Sequence, residues 1–402
     1  MHKKFFKDIE RGSKNGIIKK KIISHYITNG DSTIADIAKV FDLSVPTMTK
    51  LIVELCEDGF VVDYGKIETT GGRRPNIYGL NPISGYFIGV DMKNSSINIG
   101  LIDFKGEVVK LEMNIPVIIG NTSSDLDKLC DIIVDFINRS SIEKGKILNV
   151  QINISGRVNP QTGYSYSIFY FDERPLTEVI SSKIGCSVSI DNDTRAMTYG
   201  EYMTGNYSDN KDVLFVNISW GLAVGIIIDG KLYYGKSGFS GEYGHTSVFD
   251  NEILCHCGKK GCLETEASGL AMHRIFVERC LNGESSVLSK DIEANKNITL
   301  ENIIEAIKKE DMLAIEIVEE IGNKLGKSIS ALINLFNPDI VILGGVLSMA
   351  EDYILLPFYS AIKKYSLNLV NKDSTITLSK LKEKSGVIGA CLLSQHNFLK
   401  NI

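Results

Sequence analysis

Residues 241–264, GEYGHTSVFDNEILCHCGKKGCLE, constrain the fold more than any other stretch of the chain. They hold Cys255, Cys257 and Cys262, with His245 ten residues upstream of the first cysteine. Thiolates and one imidazole at this spacing are the donor set of a closed tetrahedral zinc site. Gly258 and Gly261 let the chain turn tightly between the second and third cysteines. Clustered cysteines beside a histidine, in a chain without secretory features, read as metal ligands before disulfides. The blander reading is three buried or reactive thiols next to a surface histidine. His256, between Cys255 and Cys257, is a rival ligand and is expected to point to solvent. Glu242 and Glu264 bracket the set.

The run Glu-x-Gly-His followed by Cys-x-Cys-Gly-x-x-Gly-Cys-x-Glu resembles the ROK family of repressors, open reading frames and sugar kinases. In that family the zinc is structural, one per chain, and pins a loop so that the histidine and two glutamates face a sugar. The resemblance implies zinc on His245, Cys255, Cys257 and Cys262. It implies sugar contacts from Glu242, His245 and Glu264. His245 serves both roles, because one ring nitrogen binds metal while the other stays free to donate.

At 402 residues the chain is too long for one compact core, so two or three domains are expected. The start, MHKKFFKDIERGSK, is charged and has no apolar signal-peptide core. The apolar runs are of strand length, too short to span a membrane. The remaining cysteines, Cys56, Cys130, Cys186, Cys280 and Cys391, lack regular spacing and read as small hydrophobes in a reducing cytoplasm. Net charge is −5 overall, but residues 1–80 carry 13 Lys and Arg against 10 Asp and Glu, so +3, leaving −8 elsewhere. Only the small N-terminal module is therefore suited to an anionic partner.

Residues 16–62 read as three short helices. Ile17, Ile18, Ile22, Ile23 and Tyr26 form the first apolar stripe. Thr33 caps the second helix, with Asp36 three residues on, and Ser44 caps the third, with Pro46 in its first turn. Helix, tight turn, helix is the helix-turn-helix arrangement, with Ser44, Thr47, Thr49 and Lys50 where base edges are read. Two strands around Thr70-Gly71-Gly72-Arg73-Arg74-Pro75 then make a wing. Gly71, Gly72, Arg73 and Arg74 suit a narrow A·T-rich minor groove. The family's repressors carry this same wing, and its free-standing kinases lack the module.

Beyond a hinge at residues 81–85, two sets of three-strand meanders followed by helices recur. With the resemblance, this implies an α/β fold: an actin-like, ribonuclease-H-like two-lobed ROK domain preceded by an α+β winged helix-turn-helix domain. The expected boundaries are residues 1–80 for the winged helix-turn-helix and 81–402 for the sugar-binding domain. Lobe one takes about 81–198 plus the C-terminal helix 386–398, and lobe two about 199–385. A ligand cleft is expected between the lobes.

Asp191-Asn192-Asp193 also matches the family, whose kinases use the aspartate at position 193 as base and the preceding asparagine to hold the sugar. Asn192 and Asp193 therefore join the expected sugar set, Asp193 as a vestigial base. Asp191 reads as a simple loop acid. Asn153 and Arg157, flanking Ser155-Gly156, are weaker candidates. The kinases' first phosphate hairpin carries glycines, whereas this chain has Asp91-Met92-Lys93-Asn94-Ser95-Ser96. The second, Gly-Thr-Gly in kinases, is Ser219-Trp220-Gly221. No enzyme activity is expected. The reading is a sugar-responsive repressor, a homodimer or a dimer of dimers, released from a palindromic operator by a neutral sugar. The alternatives are a sugar kinase with a regulatory DNA-binding module and a regulator switched by a protein partner.

Overall fold

The computed structural model describes residues 3–66, 75–205, 207 and 210–401. They form two compact units. One comprises residues 1–153, 163–190 and 390–402, and the other 154–162 and 191–389.

The first unit begins with α1 (Lys3–Glu10), α2 (Lys14–Asn29), β1 (Ser32–Thr33), α3 (Ile34–Val40) and α4 (Val45–Glu57). The wing strands β2 (Val61–Lys66) and β3 (Asn76–Leu80) follow. Capping sets these boundaries. The Ser13, Thr33 and Ser44 hydroxyls accept from the amides of Gly16, Asp36 and Thr47, satisfying donors that a helix start leaves orphaned. The three strands pair in the order β1-β3-β2. The wing tip, residues 67–74, lies outside the described residues, and with it the expected DNA contacts Gly71, Gly72, Arg73 and Arg74.

The first apolar stripe needs correction. The buried face of α2 is Gly16, Lys19, Ile22, Ile23 and Tyr26, while Ile17 is half exposed. The cause is α1, which was not expected from the sequence. It covers Gly16, where an added Cβ would lie 2.7 Å from the Asp8 backbone, and brings Asp8 to Lys19 at 3.0 Å. Lys19, wholly buried, also meets Glu54 of α4 at 2.6 Å.

The unit continues through β4 (Tyr86–Met92), β5 (Ser96–Asp103), β6 (Val108–Pro116), α5 (Ser123–Arg139) and β7 (Ile147–Ile154). The chain then makes β8 (Val158–Asn159), which belongs to the second unit, and returns to the first through β9 (Tyr164–Ser165), α6 (Leu176–Ile184) and β10 (Val188–Asn192). The sheet order is β10-β7-β4-β5-β6, with β4 antiparallel to β5 and parallel to β7. An aromatic ladder runs from Phe5 through Phe60, Phe104 and Phe87 to Phe398, with centroid steps of 4.9, 5.5, 5.9 and 5.6 Å. Asn81 and Ser84, in the expected hinge, both donate to the Gly59 carbonyl. The hinge is thus a packed joint.

The second unit contains α7 (Asp193–Thr204), β11 (Val213–Ile218), β12 (Leu222–Ile228) and β13 (Lys231–Leu232). Helices α8 (Gly269–Leu281), α9 (Ser289–Glu293), α10 (Leu300–Lys308) and α11 (Met312–Phe336) follow. It closes with β14 (Ile340–Gly344), α12 (Asp352–Tyr365), α13 (Asn368–Asp373), β15 (Thr375–Leu378) and the start of α14 (Ser385–Asn401). Its sheet order, β13-β12-β11-β14-β15, repeats the first: an antiparallel meander extended by a parallel strand. Ile303, Ile317, Ile321 and Phe358, all fully buried, fill its core.

Candidate functional site

Strand β10 ends at Asn192 and α7 starts at Asp193, which presents the turn between them to the segment 155–158. Asn192 caps α7: its Oδ1 accepts from the Arg195 amide at 3.2 Å, and its Nδ2 donates to the Gly156 carbonyl at 3.0 Å. Asp193, half-buried, accepts from the Ser155 hydroxyl at 2.5 Å and from the Thr194 amide at 2.7 Å. Burial raises the pKa of Asp193 above the usual carboxylate value, against the lowering effect of those two donors. Burial also raises Glu242, opposed by His245, Arg157 and Arg195, while the charge on Asp193 pushes it up further. The charge on Asp193 therefore acts on Glu242. Arg157 is exposed and Asn153 wholly buried on β7.

Around the cysteines, the Cys255 amide donates to the Lys259 carbonyl and the Gly258 amide to the Cys255 carbonyl. This knuckle needs positive φ at Gly258 and Gly261, and a Cβ on Gly261 would strike the Phe249 carbonyl. It gathers His245, Cys255, Cys257 and Cys262 so that their donor atoms all lie within 4.8 Å of one another. A zinc tetrahedron with Zn–S near 2.3 Å and Zn–N near 2.05 Å has S···S edges of about 3.8 Å and S···N edges of about 3.5 Å. Here Cys257 Sγ lies 3.6 Å from Cys262 Sγ, and Cys255 Sγ lies 3.5 Å from His245 Nδ1. The donor set fits the ion. Burial pushes the Cys255 thiol up to about 12 and raises Cys262. At Cys257 the Lys259 amide and neighbouring thiols outweigh desolvation and lower it.

His245 joins this cluster to the carboxylates. Its Nδ1 faces Cys255, and its Nε2 lies 3.7 Å from Glu242 Oε2. Glu264, buried, accepts from the Leu222 amide at 2.9 Å, and its other oxygen sits 3.0 Å from His256 Nδ1. His256 is exposed, as expected, yet is held over Glu264 and forms a second cluster with His245 and Glu264. The structure thus brings Asn192, Asp193, Glu242, His245 and Glu264 together within one unit. Asp191 is not the simple loop acid expected: it lies in strand β10, wholly buried, and pairs at 2.6 Å with Arg195, which sequence reasoning missed. The signal was present in the i, i+4 spacing of acid and arginine across a helix start.

The Ser219-Trp220-Gly221 turn caps α8. The Gly269 amide donates to the Ser219 carbonyl at 2.8 Å and the Leu270 amide to the Trp220 carbonyl at 2.9 Å. The Ser268 hydroxyl accepts from Ala271. The donors that a helix start offers an anion are engaged here. Trp220 is exposed and leans on His273, with ring centroids 5.6 Å apart.

On the helix-turn-helix, Thr47 and Lys50 are exposed near the start of α4. The hydroxyls of Ser44 and Thr47 lie 2.8 Å apart. Thr49 is half-buried and donates to the Val45 carbonyl, so its hydroxyl hydrogen is already in use. Val45, unremarked in the sequence, is half exposed beside them.

The ROK family profile matches residues 87–397, and a winged helix-turn-helix DNA-binding profile matches 17–62. A xylose repressor from Caldicellulosiruptor bescii is 32% identical over 362 residues, 88% of this chain and 89% of its own length. A crystal structure of a ROK family transcriptional regulator, a homologue of the E. coli MLC protein, matches with TM-score 0.80. The two are 25% identical, and the match covers 96% of this chain and 97% of that one. A ROK family glucokinase from Streptomyces griseus, in complex with glucose and AMPPNP, matches at TM-score 0.68 and 26% identity. That match covers 78% of this chain and all of the kinase. The cysteine knuckle, the duplicated sheets, the N-terminal module and these likenesses agree, and the chain belongs to the ROK family.

Proposed function

We propose that this chain, as a dimer or a pair of dimers in the cytoplasm, holds a palindromic operator and is released by an unphosphorylated sugar. The coarser role, a sugar-responsive transcriptional repressor, follows from the winged helix-turn-helix together with repressor relatives matched over most of their length. The observation that carries the finer reading is a polar cluster left intact while the features that hold a phosphate are filled. Carboxylates on Asp193 and Glu242 and the amide of Asn192 accept and donate to hydroxyls, and charge-assisted bonds of this kind are the stronger ones. Trp220 and the capped start of α8 stand where the family's kinases carry a glycine-lined turn. Lys93 and Asn94 fill the other turn.

The four cysteine and histidine ligands would hold zinc, which supplies a rigid cross-link rather than chemistry. His245 then presents Nε2 beside Glu242. A phosphate ester would bring a dianion to Asp193. Two unit charges 4 Å apart repel by about 4 kcal/mol at an effective dielectric of 20. A neutral sugar avoids this. Bound sugar would favour one arrangement of the chain over another and so shift the population that fits the operator.

Gel-shift titration on operator DNA with matched pairs, xylose against xylose 5-phosphate and glucose against glucose 6-phosphate, tests this. Release by the free sugar is expected. Release by the ester alone would overturn the reading. Zinc should be present at one per chain, and Cys257→Ser should lose metal and sugar response together while operator binding persists. Wild-type protein without zinc would sink that part. No sugar-dependent ATP turnover is expected, and turnover abolished by Asp193→Asn would favour the kinase alternative.

A further inference from the structure

The pair Asp191–Arg195 lies at the base of the turn that carries Asn192 and Asp193, and is almost completely buried, at 0% and 3% side-chain exposure. The guanidinium is used from three sides. Nε donates to Asp191 Oδ1 at 2.6 Å, Nη1 to the Gly238 carbonyl at 2.7 Å, and Nη2 to the Val158 carbonyl at 3.4 Å. The Tyr234 ring lies 5.3 Å from its Cζ. Asp191 Oδ1 in turn accepts from the Asn192 amide at 2.7 Å.

Each contact leads to a different pocket segment. Val158 follows Ser155 and Gly156, whose hydroxyl and carbonyl hold Asp193 and Asn192. Gly238 precedes Glu242, and a Cβ on Gly238 would lie 2.8 Å from the Val158 carbonyl, so those two loops touch. Between Gly238 and Glu242 the chain is fixed again, where the Gly241 carbonyl accepts from the Val224 amide at 2.9 Å. A buried ion pair is a weak source of stability, since apolar replacement of both partners is often neutral or better. A planar fork whose donors are fixed in direction is, however, well suited to setting the spacing of carbonyls, which a lysine ammonium cannot reproduce.

We propose that Arg195 is the positioning residue of the sugar site, locking segments 155–158, 191–193 and 238–242 into the spacing that lets Asn192, Asp193 and Glu242 meet one sugar. This rests on the sugar-site reading above. Arg195 touches no sugar itself. It acts through Asp191 and the two carbonyls, and its charge also favours the ionised forms of Asp193 and Glu242.

The test uses the full-length zinc-loaded chain with xylose and glucose as probes. Affinity is measured by calorimetry, apo melting by heat denaturation, and zinc by metal analysis. Arg195→Lys should weaken binding of whichever sugar the wild type takes by about ten-fold or more, with zinc content unchanged. The double variant Asp191→Asn with Arg195→Met removes both buried charges. It should melt closer to wild type than Arg195→Met alone, which leaves Asp191 buried and unpaired, and still bind sugar at least about ten-fold more weakly. A purely structural role would do the reverse, lowering the melting temperature while the folded fraction binds normally. Wild-type affinity in either variant overturns the proposal and leaves the sugar site standing. If the wild type binds neither sugar, the sugar-site reading fails and this proposal fails with it.

Discussion

At Asp193, burial disfavours the charged form, so under the sugar role proposed above its raised pKa works against binding. The ionised carboxylate is the better acceptor, and acid removes it sooner than at an ordinary aspartate. Sugar affinity, measured by calorimetry where zinc stays bound, should therefore fall as pH drops toward that raised value. A rise on acidification would contradict this. For the apo protein the sign is opposite. A group raised on folding favours the folded state at low pH, and that contribution is lost as pH rises through the folded value. Asp193→Asn should thus melt no lower than wild type at neutral pH while binding sugar about 10- to 100-fold more weakly, the loss of one charge-assisted bond of about 1.5–3 kcal/mol. Lys19 makes the complementary case. Glu54→Ala should destabilise by roughly 3 kcal/mol, because it takes one carboxylate partner from a buried ammonium. Lys19→Met, which removes the charge itself, should be milder in the same denaturation series. Residues 19, 22, 23 and 26 share one helix face, so the placement of Lys19 was readable from spacing. A lysine was passed over because burial of its charge needs partners, and one of them is on α1. Arg195 escaped for the same reason, since its carbonyl partners lie far off in sequence.

Among elements, those legible in the sequence were the ones whose limits are set locally. Strands β4, β5 and β7 begin and end where the apolar runs do, and Thr33 and Ser44 cap α3 and α4 as their spacing foretold. The cysteine knuckle was legible too, because its four donor residues lie within eighteen residues. What stayed hidden depends on distant chain: α1, the two-residue β1 that pairs with β3, and the capping of α8 by the turn at Trp220. On α4, Lys50→Ala should cost about 1–3 kcal/mol of operator binding and relax base preference at one position, as expected of a side chain that reads a base edge. Thr47→Ala should likewise alter base preference. Equal weakening on operator and on unrelated DNA in the Lys50 variant would place that side chain on the phosphate backbone instead.

At the scale of the whole molecule, α14 starts in the second unit and ends in the first. Its beginning lies against α7, where a Cβ on Gly200 would sit 2.9 Å from the Gly389 backbone. Its end lies in the other unit, with Gln395 donating to the Phe104 carbonyl at 2.9 Å and Phe398 against Phe87. Helix α7 itself starts at Asp193, and its Glu201 accepts from the amides of Lys380 and Leu381, just before α14. Within the second unit, α7 therefore ties the turn at Asp193 to the start of α14. Gly200→Ala, which wedges α7 from α14, should leave operator binding intact while changing the sugar-induced release by about 0.5–2 kcal/mol of coupling. Gel shifts with and without sugar measure that ratio, and an identical ratio would show that this contact takes no part in release.

The aromatic ladder bears on how such regulators can be recombined. A chimaera cut at residue 81 would seat Phe60 on a foreign turn, and the Gly59 carbonyl would depend on whichever side chains replace Asn81 and Ser84. The module that can be exchanged cleanly is larger than the DNA-binding domain. It must carry the turn around Phe104 and the tail around Phe398, two stretches almost three hundred residues apart in the chain.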